Sequence, residues 1–222
     1  MTSGKVEPHR ATRRAWLLHC SALWLAGTSA APAATQPKRI LVVGDSLSAE
    51  YGLARGTGWV ALLERKLAQE RIAASVVNAS ISGDTTAGGR SRLPALLVTH
   101  KPTHVVLELG ANDALRGLPL ATTRKNLDDM VAACKASGAR VLLVGMRMPP
   151  NYGRKYSDEF VALYGEVARQ QGAQLVPFLL KDVADAPNAD ALFQADRMHP
   201  RAEAHPVMLN NVWTGLRPLL AS

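Results

Sequence analysis

Cysteine is almost absent from this chain of 222 residues: Cys20 and Cys134 are its two, far apart and in no Cys-x-x-Cys spacing. A disulfide scaffold is excluded, and Cys134 reads as a buried structural thiol. Aromatic residues make up 5% of the chain, and few of them stand beside Lys or Arg. The basic residues are scattered rather than clustered, so the formal charge of +8 does not describe a nucleic-acid face. Long apolar runs are missing too. The most apolar stretch, Ala15 to Ala26, is broken by His19, Cys20 and Ser21 and is too short to span a bilayer. Internal repeats, low-complexity domains and a second core are also lacking.

The chain is nevertheless 47% apolar, enough for a sizeable core and against disorder. Arg10, Arg13 and Arg14 precede the Ala15–Ala26 run, and small residues follow, ending in Ala31-Pro32-Ala33. That order of basic, apolar and A-x-A segments predicts a signal peptide over residues 1–33, cleaved after Ala33. The Arg13-Arg14 pair lacks the surrounding pattern of twin-arginine export, and Cys20 follows no lipoprotein box. The expected product is one domain, 34–222, periplasmic or secreted, with 22 Lys or Arg against 17 Asp or Glu and Cys134 alone.

Along that domain, β-rich apolar runs recur at 40–43, 72–77, 104–109, 140–146 and 174–178. Helical spacing fills 58–70, 121–137, 157–171 and 203–220 between and after them. The alternation predicts an α/β fold, a parallel sheet with helices on both faces. In 121–137, Leu127, Met130, Val131 and Cys134 form one apolar stripe, while Asp128, Asp129 and Lys135 lie off it. Gly138 and Gly172 are expected to close two of the helices, and Ser157, followed by Asp158 and Glu159, to open one. The loops at 80–92, 147–156 and 181–200 are long and therefore candidates for function.

Ser46 follows the first apolar run, in Arg39-Ile-Leu-Val-Val-Gly-Asp-Ser46. A hydroxyl at a strand end sits where open α/β sheets do chemistry. To act as a nucleophile it needs a base and an orienting acid. Of the four histidines in the expected domain, His104 begins a buried strand, His100 ends a helical segment, and His205 lies in the last helix region; each reads as structural or exposed. His199 stands in a polar loop, Ala195-Asp-Arg-Met-His199-Pro200, with Asp196 three residues before it. One local turn brings carboxylate and imidazole together; a turn residue with a surface histidine is the plainer reading. A metal site is not expected, because no third ligand stands at suitable spacing. Gly83 and Asn112, after the second and third runs, are candidate oxyanion donors. Taken singly they are also an ordinary turn glycine and an ordinary helix start.

Five segments, GDSLSAEYG (44–52), NASISGDTTAGG (78–89), VLELGANDALRG (106–117), MRMPPNYGRKY (146–156) and ADRMHP (195–200), resemble in order the SGNH branch of the GDSL hydrolases. The similarity is to the periplasmic arylesterase and multifunctional acyl-CoA thioesterase/lysophospholipase group. It implies a three-layer α/β/α, flavodoxin-like fold with a five-stranded parallel sheet in order 2-1-3-4-5. It also implies a catalytic Ser46, Asp196 and His199, and an oxyanion hole of Ser46 N–H, Gly83 N–H and the Asn112 amide. The implied activity is hydrolysis of carboxylic esters or thioesters through an acyl-enzyme, with no cofactor and no metal. A carbohydrate or small-acyl acetylesterase with the same site is the alternative, and an exported binding protein is the reading outside enzymes. Leu47, Leu109, Met148, Pro149, Pro150 and Tyr152 are the expected substrate-binding residues, the proline-rich loop being either a movable wall or a rigid connection. The partner is a small-molecule or lipid ester or thioester, and the protein is expected to be a monomer. One position departs from the resemblance: Ala111 stands where the family usually has a second glycine, and its methyl group is tolerable only with an ordinary φ.

Overall fold

The computed structural model describes residues 37–221; the expected signal peptide and Cys20 lie outside the described residues. Five strands, β1 (Lys38–Gly44), β2 (Ala74–Asn78), β3 (His104–Glu108), β4 (Arg140–Val144) and β5 (Gln174–Val176), pair in parallel in the order β2-β1-β3-β4-β5. This is the expected α/β architecture. Ile40 to Val43 and Val105 to Leu107 are wholly buried, because central parallel strands are covered on both faces. β2 and β5 lie at the edges and are only partly covered.

Helices α1 (Trp59–Gln69) and α7 (His205–Ala221) pack together on one side of the sheet. On the other, α2 (Thr86–His100) packs on α4 (Leu120–Ala136), and α4 on α5 (Arg154–Gln171). Two short helices, α3 (Ala111–Leu115) and α6 (Ala189–Leu192), lie in the connections after β3 and β5. The stripe of α4 faces inward as its spacing requires, with Leu127, Met130, Val131 and Cys134 fully buried. Gly138 and Gly172 follow α4 and α5 with φ of +84° and +62°.

Two expectations need correction. α5 opens at Arg154, after Gly153 with φ +85°, so Ser157 lies within its first turn rather than at its cap. The 80–92 loop is half helix: α2 begins at Thr86, where the Thr85 hydroxyl accepts the Gly88 N–H at 3.3 Å. Gly88, Gly89 and Pro94 interrupt its apolar pattern. Gly89 is nevertheless required, because a Cβ there would lie 2.3 Å from Leu109 Cδ1.

The chain leaves β1 toward β2 on one side and returns to β3 on the other, which makes β1 and β3 the neighbours at the topological switch. Their register sets Gly44 beside Glu108. The turns that follow, bearing Ser46 and Asn112, therefore open into the same crevice.

Candidate active site

The β1 turn is stiffened by its own backbone. Asp45 Oδ1 accepts the Leu47 N–H at 3.0 Å, and the Asp45 carbonyl accepts the N–H of Ser48 and Ala49. Ser46 is thereby presented beyond the strand with its hydroxyl 2.9 Å from His199 Nε2. His199 Nδ1 lies 2.7 Å from Asp196 Oδ2, while Asp196 Oδ1 accepts the N–H of Met198 and of His199 itself. These backbone donors, led by the His199 N–H, pull the Asp196 carboxyl down to about 2. With Asp196 ionised, the ring proton belongs on Nδ1, which leaves Nε2 as acceptor for the Ser46 O–H.

The donor side is built by three loops. Gly83 has φ +77°, conformation open chiefly to glycine. Its loop is stapled by Arg92, which pairs with Asp84 at 2.8 Å and donates to the Ala79 carbonyl. Among the described residues, neither the Ser46 N–H nor the Gly83 N–H has a hydrogen-bond partner. The Asn112 amide differs: Nδ2 donates to Asp45 Oδ2 and to the Asp84 carbonyl, each at 3.0 Å. It can serve an oxyanion only by sharing or releasing one of those protons. Asp113 anchors the neighbouring helix by accepting from the Thr86 N–H at 2.8 Å and from the Thr86 hydroxyl. Burial raises the Asp45 carboxyl to about 6, opposed first by the Leu47 N–H.

Ala111 is the first residue of α3 and is not among the residues with positive φ. Its methyl group is unstrained, and it forms part of the cavity wall. Gly110 carries the conformational demand instead, with φ +122° and Tyr164 Oη 2.4 Å from where a Cβ would stand.

Ser46, Gly83, Asn112 and His199 open into a cavity of about 740 Å³. Leu47, Met148 and Pro149 line it; Pro150 opens a 3₁₀ turn that ends at Tyr152. Leu109 and Tyr152 do not line it. The Leu109 side chain points back into the layer of α2 and α4, filling the space that Gly89 leaves, and Tyr152 packs against the core. The missed wall comes from beyond β5: Phe178, Leu180, Ala184 and Phe193, with Met146 facing them. Arg147 lies with its guanidinium 4.8 Å over the Phe178 ring. Tyr51 was also missed; its ring lies tilted by 38° against the His199 imidazole, with centroids 4.3 Å apart. Gln194 ties the two loops by donating to the carbonyls of Tyr51 and Pro200. Of the other described histidines, His104 bonds Thr103 and the Leu219 carbonyl, and His205 Nδ1 accepts the Trp59 N–H at 3.0 Å.

A strand-end serine, an imidazole and a carboxylate in one hydrogen-bonded line, beside free N–H groups, suit acyl transfer. Residues 42–207 match the GDSL-like lipase/acylhydrolase family. The chain belongs to that family. It is 50% identical over 202 residues to the esterase TesA of Pseudomonas aeruginosa, covering 90% of this chain and 99% of that protein. It is 41% identical to the thioesterase 1/protease 1/lysophospholipase L1 of Escherichia coli, covering 82% of this chain and 84% of that one. The crystal structure of TesA superposes with a TM-score of 0.79 at 51% identity, over 82% of this chain and 99% of the other. This family member is thus an ester-bond hydrolase with the α/β fold of its structural neighbours. Among the described residues, no helix is long and apolar enough to cross a membrane.

Proposed function

We propose that Ser46, His199 and Asp196 are the catalytic residues of a serine esterase acting on carboxylic esters and thioesters with extended acyl groups. The observation that carries this is the unbroken line Ser46 Oγ–His199 Nε2, His199 Nδ1–Asp196 Oδ2, at 2.9 and 2.7 Å. Ser46 Oγ attacks the acyl carbonyl as its proton passes to Nε2. Negative charge gathers on the carbonyl oxygen, facing the N–H of Ser46 and Gly83 and the Asn112 amide. The tetrahedral intermediate collapses, the alcohol or thiol leaves with the proton from His199, and an ester on Ser46 remains. Water then attacks that ester by the same route and releases the acid.

The cavity supports the acyl preference. Leu47, Met146, Met148, Phe178, Leu180 and Phe193 enclose far more apolar space than an acetyl group fills. This favours aryl esters, acyl thioesters and lysophospholipid-type substrates over acetylated carbohydrates. The basic, apolar and A-x-A order of residues 1–33 supports export to the periplasm or beyond, with residues 34–222 acting as a monomer.

A fluorophosphonate probe is expected to add its mass to Ser46, and Ser46→Ala to lose both labelling and ester turnover. Labelling of another serine, with turnover intact in Ser46→Ala, overturns the assignment. A series of aryl esters and acyl thioesters of increasing chain length tests the substrate. Best turnover at acetyl would return the small-acyl reading.

A further inference from the structure

Glu108 is the acidic residue at the end of the fully buried strand β3, and no step above uses it. Its side chain is wholly enclosed. Oε2 accepts the Ser48 hydroxyl at 2.7 Å and the Asp45 N–H at 3.3 Å. Oε1 is equally buried and, among the described residues, has no hydrogen-bond partner. The Ser48 oxygen also accepts the Trp59 indole N–H at 3.2 Å, and Glu108 Oε2 is the acceptor in reach of its one proton.

We propose that Glu108 is a positioning residue held as a neutral carboxylic acid. Its carbonyl oxygen grips the Ser48 hydroxyl and the Asp45 N–H, fixing the turn that bears Ser46 and the Asp45 carboxylate that orients Asn112. The inference rests on the reading of Ser46 and Asn112 given above. Two donors on one oxygen and none on the other match a carboxyl group, with one strong acceptor and one O–H. Oε1 lacks a partner in either form, but leaving a neutral O–H unpaired in this buried place costs far less than leaving a carboxylate charge there. Asp45 holds the adjacent negative charge, since its two oxygens accept the Leu47 N–H and the Asn112 amide. Two touching carboxyls do not both ionise in such a place. Burial first, and then the Asp45 charge, push the Glu108 carboxyl well above the ordinary carboxylate range. The arrangement also suits the chemistry, because a second fixed negative charge behind the donors would oppose a developing oxyanion. Gly44 shows how closely the group is held: a Cβ there would lie 2.8 Å from Oε2 and 2.7 Å from Ser48 Oγ.

Glu108→Gln and Glu108→Ala separate the neutral grip from a charge. Glutamine keeps the accepting carbonyl and an N–H donor in place of the O–H. We expect Glu108→Gln to keep kcat, KM and the pH profile of kcat/KM near the parent. Glu108→Ala should lose about 10–10² in kcat with KM little changed, as a displaced turn misaims Ser46 and Asn112. The titratable groups facing Glu108 are Asp45 after β1 and Tyr164 on α5, and both remain in both variants. If Glu108 were ionised in the parent, Glu108→Gln would remove a negative charge that favours imidazolium. The acid limb of kcat/KM would then move to lower pH, and that outcome overturns the proposal. So does a Glu108→Gln enzyme as slow as Glu108→Ala. Infrared difference spectra of the parent against Glu108→Gln give a reading independent of turnover and of whether Glu108→Ala folds. A protonated carboxyl band at neutral pH is expected, and a carboxylate band refutes it. A parent that labels at Ser46 yet fails these tests discards the role of Glu108 alone. A parent that does not label discards the catalytic reading itself.

Discussion

Asp196→Asn should damage the enzyme more than Asp196→Ala, although asparagine is the closer replacement. The Asp196 carboxylate accepts three hydrogen bonds, Oδ1 from the N–H of Met198 and His199 at 2.9 and 3.0 Å, Oδ2 from the imidazole at 2.7 Å. Asparagine keeps the two backbone bonds only with its oxygen at Oδ1, which sets the NH₂ group against Nδ1. A donor then faces a ring nitrogen that carries a proton. The imidazole resolves the conflict by moving the proton to Nε2, and Ser46 meets an N–H where it needs a lone pair. A wrong tautomer of this kind costs about 10⁴ in kcat. Alanine creates no such conflict. The Asp196 side chain is 39% exposed, so water can enter and accept the Nδ1 proton, preserving the tautomer. The loss should stay nearer 10²–10³, within the range of general-base contributions.

Stability should run in the opposite order. Alanine removes the acceptor for two N–H groups in a turn whose Arg197 has φ +56°, whereas asparagine retains it. The better-folded variant is expected to be the worse enzyme. Steady-state release of nitrophenolate from an aryl ester measures kcat, and urea unfolding followed by circular dichroism measures stability. An asparagine variant as active as the alanine one, with unfolding in the stated order, would refute the tautomer argument. Asp196 itself stays ionised as acid is added, because its carboxyl is held down to about 2. The sign follows: whatever stability this carboxylate contributes is present above its unfolded pKa and is lost only as pH falls toward about 2.

Two further substitutions test the scaffold. Gly110→Ala forces φ +122° on a residue with a Cβ and crowds Tyr164 Oη, which donates to the Leu109 carbonyl at 3.0 Å. Backbone strain alone should cost about 1–3 kcal/mol in urea unfolding, and a variant as stable as the parent would contradict that geometry. His205→Ala should cost about 1–3 kcal/mol by orphaning the buried Trp59 N–H, while kcat/KM stays near the parent. Loss of turnover in a folded His205→Ala enzyme would move His205 into the reaction.

The parts of the site that could be read from sequence are those held by short spacing or by a strand end. Asp196 and His199 meet through one turn of three residues, and Ser46 rides on the turn that ends β1. The sheet was legible for a similar reason: Ile40 to Val43 and Val105 to Leu107 are apolar at every position, as strands covered on both faces must be. α2 was only half legible, because Gly88, Gly89 and Pro94 break its stripe, and the helix is held by packing on α4 rather than by its own propensity.

Walls are harder to read than lines of hydrogen bonds, since a side chain lines a cavity only through the path of the backbone behind it. Leu47 and Leu109 both come soon after buried strands, three residues and one residue beyond, and look alike in sequence. One faces the cavity, and the other fills the notch left by Gly89, a residue twenty positions away whose importance no local pattern announces. Phe178 and Leu180 enter the wall because the Leu179 N–H bonds the Gly145 carbonyl, while Asn211, from α7, donates to the carbonyls of Leu179 and Lys181. Each bond joins segments more than twenty-five residues apart. On the proposed reading, the chemistry of Ser46 is therefore written in local turns, whereas the acyl group it would accept is decided by tertiary contacts. Variation between relatives in acyl preference should accordingly concentrate in the segments after β4 and β5, leaving the turns around Ser46 and His199 unchanged.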